Sequence, residues 1–153
     1  MTLSIEIRPL RRDDLHSAVA LVAAVDLFPP GLLPDMAEPF LSGTSDELWW
    51  IAVGGRRLAY AAHERLTDGT WNLLLLAVDP TSQRRGLGRA LVTAVVEALG
   101  KAGGRLLIVE TSGTAEFAGT QRFYRRLGFR REARVRDFYG PGDDKVIFTL
   151  QLG

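Results

Sequence analysis

The sequence predicts an α/β fold, a mixed β-sheet flanked by helices. Three observations carry that expectation. Short apolar strands alternate along the chain with segments of helical period. Residues 71–78, the apolar stripe of 87–99 and residues 106–109 form a β-α-β unit, whose two strands must run parallel. Turn signals at Gly54-Gly55 and around Gly140-Pro141-Gly142-Asp143 add hairpins on either side, which makes the sheet mixed. With 153 residues and no repeat, low-complexity tract or linker, the chain is expected to be one domain over 1–153.

Residues 3–8 alternate as a strand closed by Pro9. Asp13 and Asp14 suit a helix start, and Leu15, Ala18, Val19, Val22 and Val25 recur at helical spacing. Phe28-Pro29-Pro30-Gly31 ends that helix. Between Leu32 and Thr44 the pattern is weak, and Pro34 and Pro39 limit any helix to a turn or two, so a surface loop is expected. Residues 48–53 and 58–65 read as a hairpin, and Asp68-Gly69 marks a second turn. The run Leu73-Leu74-Leu75-Leu76-Ala77-Val78 is apolar on both faces, as a strand buried on both sides would be. Leu87, Ala90, Leu91, Ala94, Val95, Ala98 and Leu99 form a helical stripe ended near Gly103-Gly104. A strand at 106–109 carries Glu110 at its end. The next helix starts near Thr114 and stops at Gly128, a left-handed cap. Residues 131–139 and 145–152 form the last hairpin.

Composition narrows the function classes. Formal net charge is +1, so bulk electrostatics gives no reason to expect nucleic acid or membrane as a partner. There is no cysteine, which excludes disulfides, thiolate metal sites and a cysteine nucleophile. No metal site is expected. No apolar run approaches the ~20 residues that span a bilayer, and residues 1–12 lack a signal-peptide core. The expected location is the cytoplasm.

The sharpest local feature is Asp79-Pro80-Thr81-Ser82-Gln83-Arg84-Arg85-Gly86-Leu87-Gly88-Arg89-Ala90, between an apolar strand and an amphipathic helix. Gly86 and Gly88 allow the backbone to bend and a ligand to approach. The first amides of the helix lack intrahelical partners and lie at its positive end, an arrangement that binds phosphate oxygens. Arg84, Arg85 and Arg89 add positive charge there. Two other readings are open. The glycines can simply make a turn, or the segment can be a Rossmann site with Glu110 on a ribose. Against the Rossmann site, seven residues separate Val78 from Gly86, and Leu91 stands where the third glycine belongs.

Gln83-Arg84-Arg85-Gly86-Leu87-Gly88 resembles the Q/R-x-x-G-x-G/A pattern of the GNAT superfamily of N-acetyltransferases. Phe123-Tyr124-Arg125-Arg126-Leu127-Gly128-Phe129 resembles its F-Y-x-x-x-G-F motif, and the element order fits along nearly the whole chain. The resemblance implies a centrally splayed sheet of the GNAT acyltransferase type and acetyl-CoA as co-substrate. It places the pantetheine arm beside Leu76, Ala77 and Val78, and the pyrophosphate on amides of Gln83, Arg84, Arg85, Gly86, Leu87, Gly88, Arg89 and Ala90. A backbone amide near Leu76 would polarise the thioester carbonyl. Tyr124 matches the tyrosine that protonates the departing sulfur. Its alternative is a core aromatic one turn from Leu127.

Direct attack of an amine on a thioester also needs the amine deprotonated. The family's glutamate position falls on Asn72, which cannot accept a proton. Glu64 is the preferred base, ahead of His63, Asp137, a water chain or no dedicated base. Phe117 stands where the family often has a cofactor-contacting asparagine, leaving Thr111, Ser112, Gly113 and Thr114 as polar substitutes. Phe28, Phe40, Trp49, Trp50, Phe138 and Tyr139 are candidates to line the acceptor site, though core packing is the ordinary role for most. The acceptor is expected to be a primary amine of a small molecule, an amino acid or a peptide, and the chain can act alone or as a homodimer. Two other functions compete: a non-catalytic acyl-CoA sensor on the same fold, and a Rossmann-type nucleotide binder.

Overall fold

The computed structural model describes residues 6–52, 54–82 and 86–153. Its helices and strands are β1 (Ile7–Pro9), α1 (Leu15–Val25), α2 (Leu33–Leu41), β2 (Leu48–Ala52), β3 (Arg57–His63), β4 (Thr70–Val78), α3 (Leu87–Lys101), β5 (Leu106–Ser112), α4 (Ala118–Arg126), β6 (Arg130–Gly140) and β7 (Asp143–Gln151). The strands make a mixed seven-stranded sheet in the order β1-β2-β3-β4-β5-β7-β6. β4 and β5 are parallel, as the β-α-β pattern requires. No helix among the described residues is long and apolar enough to cross a membrane. The chain divides into two compact units, one holding the residues up to His63 with Leu74–Ala98, the other Glu64–Leu73 with Leu99–Gly153. β4 is therefore shared, Leu73 belonging to one unit and Leu74 to the other.

In the first unit β2 and β3 form the expected hairpin about Gly54 and Gly55, both at positive φ. A Cβ on Gly55 would lie 2.7 Å from the Ser17 side chain, so glycine is required twice over. α1 buries Ala18, Leu21 and Val22 on one face. It ends at Asp26, held left-handed at φ 54° with its amide on the Val22 carbonyl, rather than at the prolines beyond.

The segment expected as a loop is instead the nine-residue helix α2. Pro34 sits in the first turn, where the missing N–H had no partner to lose. Pro39 removes one internal bond, but Leu33 and Ala37 are fully buried in the core, with Met36 and Phe40 packed beside them. Burial of that face outweighs local propensity. The second correction concerns β4. Trp71, Leu73, Leu75 and Ala77 are buried on one face, but on the other Leu74 is 51% exposed and Leu76 and Val78 are only half-buried. The far half of this apolar strand is thus covered on one side.

In the second unit β7 lies between β5 and β6, leaving β6 as the edge strand. Leu107, Val109, Val146 and Phe148 are buried on one face of β5 and β7. α4 is entered through a 3-10 turn at Ala115–Phe117 and closed by Gly128 at φ +94°. The Gly128 amide then reaches the Arg125 carbonyl and the Phe129 amide the Tyr124 carbonyl.

Two stability measurements test these arrangements. Arg8 donates to both oxygens of Asp14 at 2.6 and 2.8 Å, and this pairing holds the Asp14 carboxyl below its usual range. A lowered folded-state value stabilises the fold above the unfolded value of about 4 and loses that contribution as pH falls through the folded value. Urea titrations across a pH series should therefore show a shallower acid-side loss in Asp14→Asn than in wild type. Gly104 is enclosed: an added Cβ would meet the Leu99 carbonyl oxygen at 2.8 Å and the Leu152 and Trp71 side chains at 3.1 and 3.2 Å. Gly104→Ala should cost roughly 1–3 kcal/mol by overpacking, read as a Tm lower by about 3–10 °C.

Candidate functional site

The first unit presents the helix end singled out in the sequence. β4 leaves Val78 into Asp79, whose amide donates to the Arg56 carbonyl at 2.8 Å, fixing the exit to the β2–β3 hairpin. The Asp79 carboxylate accepts from the Thr81 hydroxyl at 2.6 Å and the Thr81 amide at 2.9 Å, closing a turn. Those bonds, the hydroxyl first, hold its carboxyl below the usual range. Gln83, Arg84 and Arg85 lie outside the described residues. Gly86 follows at φ +71° in open space, so its backbone conformation, not crowding, demands glycine. α3 then starts at Leu87, and the amide of Ala90 bonds back to the Gly86 carbonyl at 3.2 Å. The helix amides ahead of Ala90 therefore lack intrahelical partners and lie at the positive end of the dipole. Gly88 is buried at this end, and Arg89 and Ala90 are exposed beside an open groove of about 550 Å³ whose wall includes Gly86 and Thr93. Leu91 is fully buried at the third-glycine position of the Rossmann fingerprint. The helix end fits an anionic phosphate group and not a dinucleotide fingerprint.

The second unit holds a polar cluster organised by Asn72. Registered pairs put Asn72 of β4 opposite Ile108 of β5, two residues before Glu110. Asn72 is only 5% exposed. Its amide nitrogen donates to Glu64 Oε1 at 3.1 Å and to Glu110 Oε1 at 3.3 Å, using both N–H groups on two carboxylates. The other oxygen of Glu110 pairs with Lys145 Nζ at 2.8 Å. Glu110 faces Ile147 across the β5–β7 ladder, so Lys145 is its diagonal neighbour on the same face. The Lys145 ammonium also lies 3.6 Å from the Phe138 ring centre. Phe138 stands edge-on to Tyr139 at 5.0 Å. Partial burial raises the Tyr139 phenol, opposed by nearby Lys145 and reinforced by Glu110 and Asp143. At the end of β5, Ser112 donates to Asp143 at 2.5 Å and accepts from the Thr114 amide at 3.1 Å.

A bulge in β6 delivers the two rings. Val135 pairs with Lys145 and Gly140 with Asp143, so residues 136–139 oppose Asp144 alone. Asp137 holds the bulge at φ 55°, its amide on Asp144 and its carboxylate accepting from the Gly142 amide at 2.9 Å. Asp137, one of the candidate bases, is thus a turn-forming residue. Of the other proposed lining aromatics, Trp49 and Trp50 are buried, Trp49 stacked on Tyr60 at 4.3 Å, and Phe28 and Phe40 pack on the same core.

Tyr124 is 5% exposed on α4. Its ring meets Phe129 at 5.3 Å and Phe148 at 6.1 Å. Phe148 pairs with Val109, so by strand alternation α4 covers the face of β5–β7 opposite Glu110 and Lys145. Burial pushes the Tyr124 phenol up, which keeps it protonated at neutral pH. Its hydroxyl has no hydrogen-bond partner among the described residues. Glu64 and Tyr124, the predicted base and acid, therefore belong to opposite faces, and the sequence reading missed what lies beside Glu64. Glu110 was weighed only as a ribose ligand, Lys145 was not considered, and Asn72 was counted only as a missing base. The available signal was a single amide in an otherwise apolar strand.

Residues 45–131 match the acetyltransferase (GNAT) domain family. The [ribosomal protein bS18]-alanine N-acetyltransferase of Escherichia coli K12 is 38% identical over 105 residues, which are 67% of this chain and 69% of that protein. The crystal structure of a GNAT-family protein from Desulfovibrio desulfuricans superposes with a TM-score of 0.87 at 32% identity, covering 98% of this chain and all of that one. At 18% identity the yncA protein of Salmonella typhimurium, solved with acetyl-CoA, shares the fold with a TM-score of 0.76 over 99% and 95% of the two chains.

The polar cluster makes its own prediction. Asn72→Ala leaves two neighbouring carboxylates without their shared donor and should destabilise the protein by about 1–3 kcal/mol. Asn72→Asp, which replaces the donor by a third carboxylate, should cost more. Chemical denaturation of both variants checks the order; equal stabilities would show that the bridge contributes nothing.

Proposed function

This chain belongs to the GNAT acetyltransferase family and is an acetyl-CoA-dependent N-acetyltransferase, and from that premise we propose that it acts as one domain, in the cytoplasm, on a primary amine carried by a peptide or protein. The single observation that carries this reading is the Asn72-bridged pair of Glu64 and Glu110. Two carboxylates held together by one buried amide, one of them already paired with Lys145, make a site that receives an ammonium group and takes its proton. Glu64 is the carboxylate with no cationic partner among the described residues, and we assign it the base role, directly or through one water. Glu110, Lys145 and Asn72 hold it in place. The peptide acceptor is supported by the bacterial relatives, which acetylate an alanine of a ribosomal protein.

Acetyl-CoA supplies the acyl thioester. The amides at the start of α3, which lack intrahelical partners, with residues 83–90 around them, suit its pyrophosphate. Leu76, Ala77 and Val78, beyond the last registered β4–β5 pair, are assigned to the pantetheine arm, with the Leu76 amide polarising the carbonyl. Tyr124 is assigned to protonate the leaving sulfur; its apolar surroundings keep the proton on the phenol until a thiolate appears. Acid and base lie on opposite faces of β5–β7.

Acetyl-CoA should raise the Tm of the wild type, and Gly88→Leu should abolish most of that rise by blocking the helix end. In a thiol-release assay with peptide acceptors, Tyr124→Phe should lower turnover about 10- to 100-fold with acetyl-CoA affinity nearly unchanged. Glu64→Gln should lower turnover most at neutral pH and recover at alkaline pH, where more acceptor is already neutral. Glu110→Gln, tested beside it, would reassign the base if it alone reproduced that profile. A non-catalytic sensor would bind acetyl-CoA and release no thiol with any amine.

A further inference from the structure

We propose that the arginine-rich edge formed by α4 and β6 docks the phosphate backbone of a nucleic acid. The chain as a whole is nearly neutral, at +1, yet residues 122–136 contain seven arginines and one acid, Glu132. With a six-charge excess in fifteen residues, the rest of the chain is net acidic. On α4, Arg122, Arg125 and Arg126 are exposed at spacings of three and four, so they share one side of the helix. On β6, Arg130, Arg131, Arg134 and Arg136 are all exposed on the edge strand of the sheet; Arg131 and Arg134 register with Phe148 and Val146 on the α4 side, and Arg130 with Thr149 on the other.

Local structure explains charge here but not its sign. A cation near a helix C-terminus is favoured by the dipole, which accounts for Arg125 and Arg126 alone. An edge strand needs charge to resist pairing with another sheet, but mixed charges do that without self-repulsion. Instead, Arg122 and Arg126 repel at i,i+4. Only two of the seven meet an acid: Arg130 reaches Glu132 at 3.9 Å, both exposed, and Arg134 reaches Asp144 at 3.1 Å. The other five have no ion pair among the described residues. An arrangement that concentrates like charges and leaves them unneutralised stores a favourable interaction for an external anion.

The shape of the array selects the anion. Every cation is arginine, whose planar fork matches phosphate oxygens in pairs. β6 has eleven residues and extends about 35 Å, which suits a long, regularly charged polyanion. A membrane fits less well, because the apolar side of α4, at Tyr124, is turned into the protein and the exposed side is arginine.

The test is fluorescence polarisation of the full chain with labelled 20-nucleotide RNA, single-stranded and duplex, at two salt concentrations. Binding should weaken on the order of tenfold to a hundredfold from 50 to 200 mM salt, as release of several counterions requires. The quadruple variant R130Q/R131Q/R134Q/R136Q should lose at least tenfold in affinity and show a flatter salt slope, with its Tm recorded to separate docking from folding. Glu132→Gln removes the one acid within residues 122–136 and should bind several-fold tighter, a gain that misfolding cannot produce. Absence of RNA binding at 50 mM salt, affinity indifferent to both variants, or binding only to polyglutamate or phosphatidylserine vesicles would each overturn the proposal.

Discussion

The second unit is organised around one buried amide. Asn72 lies in a strand whose neighbours are apolar, and a buried amide must find partners for both of its N–H groups. It finds them on Glu64, just past β3, and on Glu110, in β5. Two carboxylates brought this close repel unless something donates between them. The amide does so without adding charge, and Lys145 neutralises one of the pair from β7. Glutamate at position 72 would have put a third negative charge in the same place. Asn72 instead bridges two other acids, Glu64 and Glu110.

The same cluster explains the irregularity of the last hairpin. A regular β6–β7 ladder would place successive side chains above and below the sheet. The bulge at residues 136–139, locked by Asp137 in a left-handed conformation, instead brings Phe138 against the Lys145 ammonium. The aromatic face and Glu110 together satisfy a lysine that is only 13% exposed. Irregular backbone, aromatic rings and the ion pair thus form one assembly.

The first unit contributes chemistry of another kind, made from backbone rather than side chains. A turn closed by Asp79 and Thr81, glycine at positive φ and the onset of α3 leave amides without intrahelical partners at the positive end of the helix. Backbone donors cannot rotate away or titrate, so such a site is preorganised for phosphate. Membership of the family follows from residues 45–131 and from a 38%-identical relative. The mechanism proposed for this chain assigns the fixed amides to the donor and the titratable cluster to the acceptor.

Much of this was legible in the amino-acid order because it is local. Helical and strand periods located α1, α3 and α4 and both hairpins, and Gly86 and Gly128 marked the positive-φ positions that only short-range sterics demand. The helix end proposed for phosphate was legible for the same reason, since helix amides and dipole depend on consecutive residues. Tertiary packing decided the rest. α2 formed against two prolines because Leu33 and Ala37 reach the core, and apolar β4 left Leu74 exposed because no described residue covers that side. Above all, the partners of Asn72 lie eight and 38 residues away, and Lys145 lies further still. Their meeting depends on strand order and register, which no single segment encodes: a slip of one residue in β5 would turn Glu110 to the opposite face.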